Sequence, residues 1–429
     1  MRVRTLLASL AVALILVAGA VLLVQTLHDP GSDTPGVAVA DGVQQIARGR
    51  YLAQAAGCIG CHTMRGGAEY AGGRTIATPF GDLYAPNITT DRTHGIGAWG
   101  ADDFWRALHN GKSRDGRFLY PAFPYTDYTK INRADADAMY AYFMTVPAVA
   151  QANRPPALRF PYDQRWLLAG WRALYFQPGT FVPDATRSAQ WNSGAYLVQG
   201  AGHCNACHAN RNAVGATDNG MDLAGGLIPM LGWYAPSLSA EQGNGLGSWN
   251  SSDVVDLLRT GVSMRGAVFG PMAEVVQHSL QHLTSDDLGA MTAYLQALPP
   301  TVVAAPARQA TLLAADSAIM QRGAAIYRDQ CVACHKADGR GAPPAYPPLA
   351  GNQSVAAAST INAIRMVLNG GYPPVTAGNP RPYGMPPFGP SLDDADVAAA
   401  VSFIRGSWGN KAGAVSPDEV RSYRAVPIE

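Results

Sequence analysis

Six cysteines stand in this chain, and all six belong to three copies of one short pattern: GCIGCH carries Cys58, Cys61 and His62, HCNACH carries Cys204, Cys207 and His208, and QCVACH carries Cys331, Cys334 and His335. Two thiols three residues apart on one helical turn can each add to a vinyl group of a porphyrin, and the histidine that follows then points its imidazole at the iron. The chemistry implied is covalent attachment of haem c at each copy, with His62, His208 and His335 as proximal ligands. A structural zinc site closes a tetrahedron with four ligands, and each pattern offers three with no second pair nearby. A thioredoxin-like redox pair has no use for the histidine. A disulfide framework, the usual reading of cysteines in an exported chain, leaves the repetition without a reason.

An electron-transfer haem also takes a distal ligand, and a methionine thioether raises the potential while closing the iron to substrates. The second copy supplies Met272 in FGPMAE and the third Met385 in YGMPPF, each beside a proline that stiffens its loop. At the equivalent place the first copy reads YPAFPY, and there stands Phe123, which cannot ligate iron. The first haem is then five-coordinate or takes a ligand from elsewhere. Met139 matches Met291 of the second copy, which already has Met272, and reads as core. Met144, matched by Gln296, is a candidate at the end of the last helix of its repeat. His94 and His109 read as surface or capping residues, His203 beside Cys204 as structural, and His278 and His282 as covering their helix. Without the thioether the first haem is either a low-potential, adaptable one or is shielded from peroxide and oxygen by an apolar ring.

These residues need elements to hold them, and their surroundings repeat as well. Before each motif stands a short helical stretch, ARGRYLAQAAG, NSGAYLVQGAG or QRGAAIYRDQ. After it comes an irregular loop with YAGG, LAGG or PLAG, bearing Gly72, Gly225 and Gly351, and then an amphipathic helix such as GADDFWRALHNG or NSSDVVDLLRTG. Each repeat closes with RADADAMYAYFMTVP, TSDDLGAMTAYLQALP or DDADVAAAVSFIRG, where Tyr142, Tyr294 and Phe403 hold the same place. Acidic residues open these helices and proline or glycine closes them. The expected architecture is all-α, one small helical domain per repeat with its haem replacing much of the core. Proline-rich connectors, AVAQANRPPALRFPYDQRW and PPTVVAAPARQA, mark the joints. The expected order is an anchor or signal-like segment over 1–40, a first cytochrome c domain over 41–155, a linker over 156–185, a second domain over 186–300, a linker over 301–315, and a third domain with the C-terminal tail over 316–429.

The N-terminus opens MRVR and continues through an uncharged run from Leu6 to Val24, which as a helix rises about 28 Å, one hydrocarbon core. Arg2 and Arg4 are expected to stay cytoplasmic, placing the rest on the periplasmic side of a bacterial inner membrane. Small residues in GVAVADG at Gly36 to Gly42 also suit signal cleavage, but they lie far beyond the apolar run, so an uncleaved anchor is expected. The 429 residues carry a formal charge of +1 with 15% charged side chains. No basic field exists to hold nucleic acid.

The three motifs, the connector FPYDQRWLLAGWRALYFQPG and the phrases APNITTDRTHGIGAW, FGPMAEVVQHS and PPLAGN resemble the triheme cytochrome c subunits of the membrane-bound dehydrogenases of acetic acid bacteria and their relatives, over nearly the whole chain beyond the apolar segment. The resemblance implies a subunit that carries electrons from a periplasmic catalytic dehydrogenase, with or without a small iron–sulfur subunit, to ubiquinone or another terminal acceptor. In that family YPAMPY is typical of the branch paired with quinoprotein alcohol dehydrogenases. YPAFPYTDYTK resembles the branch paired with molybdopterin aldehyde or N-heterocycle dehydrogenases, and so favours a molybdenum partner. The chain has no Gly-rich nucleotide turn and no GxSxG nucleophile motif, so substrate chemistry is assigned to the partner. The alternative is a haem enzyme with an open first haem, such as a peroxidase. That chemistry wants a polar distal group, whereas YPAFPY offers an aromatic surface in which Tyr120 and Tyr125 read as packing. Arg165-Trp166-Leu167-Leu168 through Trp171-Arg172 reads either as an aromatic and basic segment at the membrane surface, where a quinone site is to be sought, or as an interdomain packing helix.

Overall fold

The computed structural model describes residues 2–31, 34–36, 42–217, 223–228, 230–240, 245–300 and 317–426. The connector expected over 301–315 and most of the candidate cleavage sequence lie outside them. Two compact units emerge, one of Met1–Pro183 with Gln199–His203, the other of Asp184–Val198 with Cys204–Glu429.

The first unit runs α1 (Arg2–Leu27), α2 (Gly42–Ala55), α3 (Cys58–His62), β1 (Thr75–Thr78), β2 (Gly81–Tyr84), α4 (Ala101–Asn110), α5 (Tyr125–Tyr128), α6 (Arg133–Phe143), β3 (Ala157–Leu158) and α7 (Leu168–Tyr175). The second runs α8 (Ala189–Tyr196), α9 (Asn205–His208), β4 (Gly226–Ile228), β5 (Trp233–Ala235), α10 (Ser251–Thr260), α11 (Pro271–His278), α12 (Ser285–Gln296), α13 (Ala318–Gln330), α14 (Val332–His335), α15 (Gln353–Ala356), α16 (Ile361–Asn369), α17 (Asp394–Gly406) and α18 (Pro417–Arg424).

Helices dominate, and one arrangement recurs three times. The helix before each motif packs on the helix that closes the repeat: α2 on α6, α8 on α12, α13 on α17. A glycine sits at each crossing. A Cβ added at Gly49 would stand 1.8 Å from the Ala138 carbonyl oxygen, one at Gly194 1.9 Å from that of Ala290, and one at Gly323 2.2 Å from that of Ala399. Backbone therefore meets backbone, which only glycine permits. The closing helices share their start: Asn132, Thr284 and Asp393 each accept a hydrogen bond from the backbone N–H of an aspartate three residues on, an N-cap that satisfies an otherwise orphaned donor. The amphipathic helices share their end, since Gly111, Gly261 and Gly370 take φ of 58°, 80° and 64° after α4, α10 and α16.

To the expected all-α architecture the structure adds two small antiparallel sheets. β1 pairs with β2 from Thr75↔Tyr84 to Thr78↔Gly81, β2 pairs with β3, and β4 pairs with β5 from Gly226↔Ala235 to Ile228↔Trp233. The stretches after YAGG and LAGG, expected as irregular loop, are thus hairpins that deliver the chain into the next motif segment. Their tyrosine, tryptophan and β-branched residues suit a pleated surface. The connector over 156–185 contributes β3 and α7 to the first unit rather than running free. In the second unit the last repeat has a core of Ile364, Val367, Leu368, Val397, Val401, Val415 and Val420.

Candidate metal centres

Each cysteine pair and histidine lies on one short helical turn: Cys58 to His62 on α3, Cys204 capping α9 and Cys331 capping α14. None of the six cysteines is joined in a disulfide. Burial, with Cys61 secondary, pushes the Cys58 thiol up to about 12. Burial, with Cys334 secondary, pushes Cys331 up to about 11. Cys58 and Cys331 stay neutral thiols. Among the described residues no three His, Cys, Asp or Glu side chains converge in a cluster that holds a metal ion, so the histidines have no protein-made ligand cage.

The histidines are nonetheless aimed. His62 Nδ1 bonds to the Pro86 carbonyl at 2.7 Å, His208 Nδ1 to that of Pro236 at 2.7 Å, and His335 Nδ1 to that of Pro347 at 3.0 Å. A carbonyl can only accept, so Nδ1 carries the hydrogen and Nε2 keeps its lone pair for a metal. Burial holds all three imidazoles below the usual histidine range, against the opposing pull of the proline carbonyl, so each remains a neutral ligand. The turn itself is held in the same way each time. The backbone N–H groups of Gly72, Gly225 and Gly341 donate to the carbonyls of His62, His208 and His335 at 2.8, 2.8 and 3.0 Å. Arg74 Nη1 donates to the Gly60 carbonyl at 2.6 Å, and Arg211 Nη2 to that of Ala206 at 2.6 Å. Two thiols, one oriented and neutral imidazole and a braced turn are the donor set that haem c requires.

Sequence reasoning missed the prolines, although each follows a tyrosine by one or two residues: YAPN, YAPS and YPPL. The hairpins place them. Pro86 follows β2 and Pro236 follows β5. Asn87, which is 2% exposed, secures the first: its Nδ2 donates to the carbonyls of Val149 and Gln151. The third repeat secures the second. Asn362 Nδ2 donates to the Tyr234 carbonyl at 2.8 Å, Tyr234 N donates to Asn362 Oδ1 at 3.0 Å, and Gln353 Nε2 donates to the Ser237 carbonyl at 3.1 Å.

Met272 is the second residue of α11, half-buried, after Gly270 and Pro271. Met385 bridges Gly371 in both directions, its N donating at 2.8 Å and its carbonyl accepting at 3.0 Å, and its side chain packs against the valine-rich core of its repeat. Phe123 closes a turn on the Tyr120 carbonyl, and its ring meets Tyr128 edge-on with centroids 5.4 Å apart. Tyr128 is buried and its hydroxyl donates to the carbonyl of Ala56, two residues before Cys58. The phenylalanine is thereby tied by one ring to the first motif.

The other candidates have other partners. Met139 is fully buried and Met291 is 1% exposed, both in core. Met144 caps α6 and is half-buried. His109 stacks on Trp105 at 4.3 Å, with Nδ1 bonded to the Thr129 carbonyl. His203 takes φ 36°, bonds through Nδ1 to the Ala201 carbonyl and lies edge-on to Tyr128 at 5.3 Å. His94 is half-buried in a loop, His278 is half-buried and His282 is exposed. Tyr120 donates its hydroxyl to the Tyr162 carbonyl at 3.1 Å. Tyr125 is fully enclosed against Phe176 and Arg172, and burial pushes its hydroxyl up to about 12.

Comparison with known proteins places these features in company. A family profile described as cytochrome c matches residues 46–147 and 320–408. The gluconate 2-dehydrogenase cytochrome c subunit of Pantoea cypripedii is 40% identical over 88% of this chain and 89% of that protein. The cytochrome c subunit of the quinone-linked alcohol dehydrogenase of Gluconobacter oxydans is 39% identical over 89% of this chain and 82% of its own length. A nicotinate dehydrogenase subunit of Pseudomonas putida is 42% identical over 84% of this chain, which corresponds to 30% of that longer protein.

Proposed function

The chain belongs to the cytochrome c subunits of dehydrogenase complexes, and from that premise we propose that it is a membrane-anchored triheme electron-transfer subunit, built as three tandem cytochrome c domains, passing electrons from a periplasmic catalytic dehydrogenase to ubiquinone. The observation that carries the reading is the threefold bond from a motif histidine to a proline carbonyl. Cys58 and Cys61, Cys204 and Cys207, and Cys331 and Cys334 are assigned to the three thioether attachments. His62, His208 and His335 are the proximal ligands, with Met272 and Met385 distal in the second and third repeats. Haem c, when bound, supplies a one-electron iron couple. The chain's own contribution is to fix each imidazole, to exclude solvent with its aromatic and aliphatic cores, and to set ligand basicity through the carbonyl on Nδ1.

The anchor reading rests on α1, a helix whose span Val3–Leu27 holds an 18-residue window of mean hydropathy 2.9, none of it buried. The segment just beyond α1 is built into the first unit. Lys112 Nζ, 1% exposed, donates to the carbonyls of Thr26 and His28 and to Asp29. Trp105 Nε1 donates to the Gly31 carbonyl at 3.1 Å and Arg133 Nη1 to that of Thr34 at 3.1 Å. Cleavage near residue 40 would strip a buried ammonium of its carboxylate, which favours retention. A molybdopterin aldehyde or N-heterocycle dehydrogenase is the favoured catalytic partner, with a small iron–sulfur subunit as a third component. Phe123 in YPAFPYTDYTK and the likeness to a nicotinate dehydrogenase subunit support that branch.

The test is expression of the full chain with intact-mass and haem-stain readout. Three haems are expected, with one lost for each double Cys→Ala variant at Cys58 and Cys61, Cys204 and Cys207, or Cys331 and Cys334. In membranes, the purified complex is expected to reduce a short-chain ubiquinone with the dehydrogenase's substrate. A haem count unchanged by any one of the three double variants sinks the assignment.

A further inference from the structure

We propose that the segment from Arg165 to Tyr175 is a second, lateral membrane contact: one face of α7 and of the 3₁₀ turn Arg165–Leu167 that leads into it lies in the lipid interface beside α1. The inference rests on α1 being the anchor. Among α1 side chains described from Val3 to Leu27, all are exposed except Val21 and Gln25, which are half-buried and one turn apart. Gln25 faces α7, which packs along α1: Arg172 Nε donates to Gln25 Oε1 at 3.1 Å, and Val21 continues the same side of α1 one turn earlier. Val21 lies six residues before Leu27, the last residue of the span, so the covered side of α1 begins about 9 Å down the apolar helix. Helices that lie in the interface sit about 5–10 Å into the boundary between headgroups and acyl chains.

The side-chain pattern of the segment fits that depth. Ala169 and Arg172 point inward at 3% and 2% exposure, with Arg172 Nη1 donating to the Asn110 carbonyl at 2.6 Å. The opposite side presents Trp166, Leu167, Leu174 and Tyr175 at 58, 40, 76 and 42% exposure. On a helical wheel these four share one half-turn with Gly170 and the half-buried Trp171, and no charged residue interrupts them. Such a contiguous apolar strip on a unit in water marks an interaction site, and its continuity with the exposed apolar surface of α1 names lipid as the occupant. Tryptophan and tyrosine beside aliphatic residues are the composition of the headgroup level.

The experiment reconstitutes the full haem-loaded chain in nanodiscs of phosphatidylethanolamine and phosphatidylglycerol, with bromine on the upper acyl carbons, and reads tryptophan fluorescence. Wild type is expected to be quenched by the bromolipid, and Trp166→Phe, at an exposed position that leaves the fold intact, to lose a measurable part of that quenching. Leu174→Asp, with Trp166 retained, is expected to weaken it. Equal quenching in wild type and Trp166→Phe, with the chain inserted, overturns the proposal while leaving the anchor in place. A chain that fails to insert at all overturns the anchor and this inference together. Quenching relieved by adding the catalytic subunit assigns the face to a protein partner and overturns the lipid reading.

Discussion

Lys112 donates to Asp29 across 2.5 Å, an ammonium that is 1% exposed held by a carboxylate just beyond the apolar helix. The pair clamps the N-terminal segment to the turn that follows α4. Removing one partner of a buried pair leaves the other charge uncompensated, which costs about 3 kcal/mol. Because Lys112 keeps the carbonyls of Thr26 and His28, Asp29→Ala is expected to lose about 2–3 kcal/mol. Urea unfolding of the detergent-solubilised chain measures it. Lys112→Met combined with Asp29→Ala is expected to recover most of the loss, and no recovery would place the effect elsewhere than the charge.

His109 makes the same region sensitive to acid. Its ring stacks on Trp105, Nδ1 meets the Thr129 carbonyl and hydroxyl, and Lys130 adds like charge. Burial is the main cause holding this imidazole below its ordinary value of 6.5, with Lys130 adding to it. Below that value the unfolded chain binds a proton that the folded chain refuses, so stability is lost as pH falls through the window under 6.5 and is flat above it. His109→Gln is expected to show a shallower fall than wild type between about pH 7 and pH 5, read as the difference in melting temperature at each pH. Parallel curves would remove His109 from the account.

The glycine at each helix crossing admits no side chain. At Gly194 an added Cβ meets the Ala290 carbonyl oxygen at 1.9 Å, a backbone atom that cannot swing away. Gly194→Ala forces α8 off α12 and is expected to destabilise the second unit by about 2–3 kcal/mol or more. Differential hydrogen exchange on α8 and α12 checks it, since both helices should lose protection together. Gly289, with only a glutamine amide near its Cβ position at 3.7 Å, is the control expected to tolerate alanine.

The motifs were legible because thioether chemistry fixes the spacing of Cys and His, and the helices because capping residues and apolar periodicity repeat with them. The acidic openings of α6, α12 and α17 stand where expected. The hairpins were not legible, because four-residue strands such as Thr75–Thr78 owe their form to a partner strand and to Gly81 at φ 123° rather than to local propensity. Pro86, Pro236 and Pro347 escaped notice since a backbone acceptor leaves no mark of residue type. Only alignment of the three repeats to one another exposes both the prolines and the crossing glycines.

Asn362 acts on a histidine it never touches. It is 2% exposed and holds both backbone groups of Tyr234, two residues before the carbonyl that orients His208. Asn362→Ala removes both of those hydrogen bonds, at about 1–3 kcal/mol, and slackens the bond to His208 Nδ1. A weaker acceptor makes the imidazole less basic, and a less basic ligand favours reduced iron. On the three-haem reading, with His208 as a proximal ligand, one component of the potentiometric titration is expected to move upward while the other two stay. Unmoved potentials with a lowered melting temperature would leave Asn362 a purely structural residue.

Phe123 is the position where the first repeat departs from its sisters, and its ring lies edge-on to Tyr128, which holds the segment just before Cys58. No side chain with a lone pair for iron stands at Phe123, whereas Met272 and Met385 stand at the matching places. On the three-haem reading, one haem in three is expected to be high-spin and to bind carbon monoxide when reduced. Phe123→Met is expected to abolish that binding and raise the lowest potential, because a thioether stabilises the reduced iron. Three low-spin haems in wild type would mean that another residue fills the position. Met144→Ala then becomes the decisive variant, since Met144 caps α6 of the same repeat while Met139 is locked in the core.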